Sequence, residues 1–67
     1  MGSLTERERD VLAQLVDART NRQIAAHLYI SEKTVSVHVS NILAKLEVRS
    51  RAEAAAVARR ADAVPTP

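Results

Sequence analysis

Lys33, Val37, Ser40 and Ala44 recur at spacings of four, three and four residues, with Ser36 and Asn41 beside them. On a helix this spacing aligns them along one face. The chemistry that such a strip offers is readout of base edges. Lysine donates to guanine N7 and O6, serine pairs with several edges, and a valine methyl meets a thymine methyl. Small side chains also let a helix sit deep in a major groove about 12 Å wide. Val37 has no core to join on this face, although single apolar residues are common on protein surfaces.

Phosphate chemistry is expected around the strip. Thr20, Asn21 and Arg22 stand at one expected helix start, and Lys33 and Thr34 at the next. Free backbone amides and the helix dipole favour anions at such starts. Lys45, Arg51 and Asn41 are placed to reach the flanking backbone. For Arg7, Arg9 and Arg59 a solvated charge or a weak surface ion pair is the commoner role.

Other chemistries find little support. His27 and His38 fall on separate expected helices, and the carboxylates cluster at helix starts, where capping explains them. His38 borders an apolar face and reads as a packed histidine rather than a catalyst. There is no cysteine, so neither a disulfide framework nor a cysteine-based zinc site is available. No metal, no cofactor and no enzymatic activity are expected. Tyr29 is the only aromatic residue, which argues against a module that stacks unpaired bases. The net charge of +2, carried by eight arginines and two lysines, suits a nucleic-acid partner only weakly.

The elements that must hold these residues follow from capping and periodicity. The 67 residues allow one small domain. Alanine is abundant and glycine occurs once, so tightly packed helices must supply the stability. Thr5-x-x-Glu8, Thr20-x-x-Gln23 and Ser50-x-x-Glu53 fit the capping box, and Ser31 offers a fourth N-cap without a reciprocal partner. An all-α fold of four helices is expected, over about 6–16, 21–27, 32–46 and 51–62. The first carries Val11, Leu12 and Leu15, with Leu4 just before it. The second turns in Ile24, Ala25 and Leu28. The third turns in Val35, Val39, Ile42 and Leu46, with Leu43 beside them. The fourth carries Ala52, Ala55, Ala56 and Val57. The turn of about three residues between the second and third helices predicts a steep crossing, as in a helix-turn-helix over about 21–40. Periodicity alone also allows an ordinary hairpin in a helical bundle.

Residues 4–57 resemble the LuxR-type helix-turn-helix domain of bacterial regulators. The resemblance rests on Leu4-Thr5-x-Arg7-Glu8-x-x-Val11-Leu12, Thr20-Asn21-Arg22-Gln23-Ile24-Ala25 and Leu28-x-Ile30-Ser31-x-Lys33-Thr34-Val35. It continues through His38-Val39-x-Asn41-Ile42-x-x-Lys45-Leu46 and Ser50-Arg51. It implies sequence-specific binding of double-stranded DNA, with the third helix in the major groove and the second bracing it. Base contacts would fall on Lys33, Ser36, Val37 and Ser40. Thr34, Asn21, Arg22 and Lys45 would match positions that contact the backbone. The fourth helix would form a homodimer contact through Ala54, Val57 and Ala58, unless those alanines simply pack inward. The pattern departs from the family at Ser36 and Ser40, where lysine is frequent, and at Ala18 and Glu47, where glycine is common. A left-handed backbone at the latter two would cost about 1 kcal/mol each.

Residues 1–3 read as an expression remnant, 4–62 as the domain, and 63–67 as a disordered tail. No stretch approaches the length of a membrane span, and a cytoplasmic protein regulated by a domain outside this chain is expected. The rival reading is a protein-docking module on the same fold.

Overall fold

The computed structural model describes residues 3–63 as four α-helices: α1 (Glu6–Val16), α2 (Asn21–Leu28), α3 (Glu32–Leu46) and α4 (Arg51–Ala63). There is no strand among the described residues. Two helices run one residue further than expected, so Ala63 belongs to α4. Met1 and Gly2 of the expected remnant, and Val64–Pro67 of the expected tail, lie outside the described residues.

The helix starts follow the capping chemistry. Thr5 Oγ1 accepts from the Glu8 amide at 3.1 Å, and Glu8 Oε1 accepts from the Thr5 amide at 3.0 Å. Thr20 and Gln23 repeat the arrangement at 3.1 and 2.9 Å. Ser31 Oγ accepts from the Thr34 amide at 3.0 Å and donates to Thr34 Oγ1 at 2.9 Å. The fourth box is altered. Ser50 Oγ accepts from the Glu53 amide, but the Glu53 carboxylate takes the amide of Arg49, one residue before the cap, at 2.7 Å. Each cap stabilises its helix by about 1 kcal/mol.

Three helix ends share one device. Ala18, Tyr29 and Glu47 adopt left-handed backbone at φ near 60°. Behind each, the next amide donates to the carbonyl five residues back: Arg19 to Gln14, Ile30 to Ala25 and Val48 to Leu43. These bonds satisfy carbonyls that would otherwise be orphaned, in a closure that glycine usually makes. Ala18 and Glu47 therefore bear the conformational cost that their types imply, and Tyr29 joins them.

Val11, Leu15, Ile24, Ala25, Val35, Val39, Ile42 and Ala54 form one core. α1 packs against α3 and α4, and α2 against α3. Ala25, small and buried, lies where α2 meets α3. On α4 the buried pair is Ala54 and Ala55, while Ala52 is exposed. A helix so rich in alanine has little contrast in side-chain size to reveal its inward face.

Candidate nucleic-acid interface

Val35, Val39 and Ile42 fasten α3 to the core, and this fixes what it shows outside. Lys33, Ser36, Val37, Ser40, Asn41 and Ala44 are all exposed. Val37 is 53 % exposed, one of two large apolar side chains displayed among the described residues. The other, Tyr29, follows α2 in the turn that leads to α3. The strip thus combines an ammonium, two hydroxyls and a methyl-bearing surface on a helix whose opposite face is packed.

α2 packs against α3, and its start carries donors of its own. Capping occupies the amides of Thr20 and Gln23, which leaves the first two helical amides, those of Asn21 and Arg22, without an intrahelical partner. Thr34 Oγ1 accepts from Ser31, so its own proton remains available to an outside acceptor. Arg22 and Lys33 are exposed and form no ion pair among the described residues. These donors converge on no buried acid and suit an anion arriving from solvent.

Two cations expected at the DNA backbone are engaged elsewhere. Lys45 Nζ donates to Glu8 Oε1 at 2.7 Å and to the Ser3 carbonyl at 3.2 Å, turning back along the domain. The Glu8 side chain is only 5 % exposed, so the ammonium answers a carboxylate that the surrounding chain covers at the edge of the core. That hydrogen bond, followed by the one from the Thr5 amide, holds the Glu8 carboxyl below its usual 4.5. Arg51, half-buried at the start of α4, donates to Asn21 Oδ1 and, at 2.9 Å, to the Arg19 carbonyl. Among the described residues, each of these two cations thus has an acceptor within the protein, unlike Arg22 and Lys33.

Residues 2–58 match the family described as "Bacterial regulatory proteins, luxR family". The chain belongs to that family. It is 60 % identical over 52 residues to an uncharacterized transcriptional regulatory protein, YhcZ, of Bacillus subtilis, covering 78 % of this chain and 24 % of the relative. It is 59 % identical over 51 residues to the nitrate/nitrite response regulator protein NarP of Escherichia coli, covering 76 % and 24 %. With the spore germination protein GerE of B. subtilis it shares 51 % over 51 residues, covering 76 % of this chain and 69 % of GerE. The chain thus spans about a quarter of the first two relatives and over two thirds of the third. Its family is one of DNA-binding transcriptional regulators.

The luxR-family domain departs from expectation on α4. Ala54, expected at a dimer contact, is fully buried in the core and has no surface to offer a second copy. Val57 and Ala58 are half-buried, and Ala58 lines a shallow apolar groove with Leu12, Ala13 and Val16 of α1. His38 is half-buried, and His27 is exposed on α2. No helix of the described residues is long and apolar enough to cross a membrane.

Two features escaped the sequence reading. Glu8 was visible only as a capping partner, yet it precedes Val11 and Leu15 by three and seven residues, which places it on the inward face of α1. Tyr29 gave no sign of a left-handed backbone, because the residue types that usually announce one are glycine and asparagine.

Proposed function

We propose that this domain binds double-stranded DNA sequence-specifically by inserting α3 into the major groove, as the output element of a bacterial transcription regulator. The observation that carries the reading is the exposed strip of Lys33, Ser36, Val37 and Ser40 on a helix rigidly packed from behind. Thr20, Asn21, Arg22, Thr34 and Asn41 would hold the phosphates on either side, and so fix register without reading sequence. With serine at two base-facing positions, few cations approach the bases, and an isolated domain should bind weakly. Pairing of two domains through Val57 and Ala58 would place two strips on half-sites about one helical turn apart. The relatives are mostly much longer and include a response regulator, so a regulatory domain elsewhere in the full-length protein, in the bacterial cytoplasm, fits this role.

The test is a titration of the isotopically labelled domain with a short duplex at low salt, followed by backbone amide NMR. Shifts confined to residues 20–23 and 31–41, reversed as salt rises, are expected, because counterion release makes phosphate contacts salt-sensitive. An unshifted spectrum at low salt would overturn the reading for the isolated domain and favour docking onto another protein.

A further inference from the structure

The guanidinium of Arg51 joins two acceptors at the entrance of α2, the side-chain oxygen of Asn21 and the backbone oxygen of Arg19. Arg51 and Asn21 are separated by 30 residues, so the bond is made by the packing of α4 and not by local chain geometry. A guanidinium only donates, through a planar fork of fixed geometry. The atom of the Asn21 amide that faces it is therefore assigned as the oxygen, because a guanidinium offers no acceptor to an NH2 group. With Oδ1 held, the NH2 group is the half of the amide left to donate, and it has no hydrogen-bond acceptor among the described residues. Beside it stand the exposed Thr20 and Arg22 and the two uncommitted amides of the helix start.

We propose that Arg51 is a positioning residue for DNA binding: it clamps the Asn21 carboxamide so that its NH2 group donates to a phosphate at the entrance of α2. Arg51 itself stays on the protein side of the contact. The inference rests on the DNA-binding reading above and adds to it the way in which one of its phosphate contacts is built. Fixing the amide before DNA arrives spares the entropy of ordering it on binding. A lysine would keep the charge at this position, but one ammonium on a flexible stem cannot hold both acceptors in a plane.

Duplex affinity of the wild type, Arg51→Lys, Asn21→Ala and the double variant tests this, with backbone NMR verifying that each is folded. Arg51→Lys and Asn21→Ala should each weaken binding by roughly tenfold, the scale of one hydrogen bond to a charged group. The double variant should be no weaker than Asn21→Ala alone, since residues that act as one unit are not additive. In the free protein, Arg51→Lys should shift the Asn21 side-chain NH2 resonances, and DNA should then no longer move them as it does in the wild type. Wild-type affinity in Arg51→Lys, or losses that add in the double variant, would overturn the proposal by making Arg51 a charge on the phosphate in its own right. Undiminished binding by Asn21→Ala would overturn it too. A wild-type domain indifferent to duplex would instead overturn the DNA reading, and this inference with it.

Discussion

Lys45 Nζ lies 2.7 Å from Glu8 Oε1 and thereby ties the last turn of α3 to the first turn of α1. The same carboxylate oxygen accepts from the Thr5 amide, so one atom serves both the α1 cap and the link between helices. The Lys45 side chain is 32 % exposed and that of Glu8 5 %, so the acid is the partner that cannot be left alone.

Lys45→Met should therefore act on stability more than on DNA. It keeps the aliphatic stem but leaves a buried carboxylate without its counterion, and a fall in Tm of several degrees is expected. The salt slope of duplex binding should change by less than the roughly 0.9 that one lost phosphate contact removes. A full unit lost from the slope with Tm unchanged would return Lys45 to the DNA backbone.

The pair also sets an acid limit. The Glu8 carboxyl is held below its usual 4.5 by the Lys45 hydrogen bond first and the Thr5 amide second. A folded value below the unfolded one means that this contribution is complete above the unfolded value and is lost as pH falls through the folded one. Thermal melts taken downward from neutral pH should hold steady and then decline below about 4.5. Glu8→Gln should start from a lower Tm and decline less steeply. Equal steepness in the two proteins would place the acid sensitivity on other carboxylates.

Capping and apolar period made the fold legible because both are local. Thr5, Thr20, Ser31 and Ser50 mark four helix starts with hydrogen bonds that span three residues, and Val35, Val39 and Ile42 mark the inward face of α3. The exposed strip followed as the complement of that face. The internal bonds of Lys45 and Arg51 were not legible, because their partners lie 37 and 30 residues away, beyond anything spacing records. Ala54 was misplaced because a run of alanines gives the helix no phase.

The left-handed closures should respond to glycine. Ala18→Gly, Tyr29→Gly and Glu47→Gly each relieve a conformation that costs an ordinary residue about 1–2 kcal/mol, offset in part by the greater freedom of glycine in the unfolded chain. A net gain of about 0.5–1 kcal/mol per site is expected, read as a rise in Tm of roughly 4–8 °C per kcal/mol in a domain of this size. Tyr29 is 94 % exposed, so little packing is lost with its ring. A glycine that lowers Tm would show that the side chain at that site contributes contacts worth more than the strain.

Ala54→Leu should destabilise the single domain. A side chain with no exposed surface cannot grow without displacing its neighbours, and overpacking of this kind costs about 1–3 kcal/mol. The loss in Tm should be the same at low and high protein concentration. A concentration-dependent loss would return Ala54 to the contact between two copies.

Lys33 and Arg22 should separate reading from holding. Both are exposed cations, one on the α3 strip and one at the start of α2. Lys33→Ala removes a donor to base edges, so affinity for a preferred duplex should fall by an amount on the order of 1–3 kcal/mol, with a smaller change on random duplex. Arg22→Ala removes a phosphate contact, so both duplexes should weaken alike and the salt slope should drop by about one. Affinities of the two variants for both duplexes over a salt series decide the matter. If each substitution weakens the two duplexes by the same factor, α3 is not reading sequence through Lys33, and selectivity must come from Ser36, Val37 and Ser40 or from the shape of the DNA.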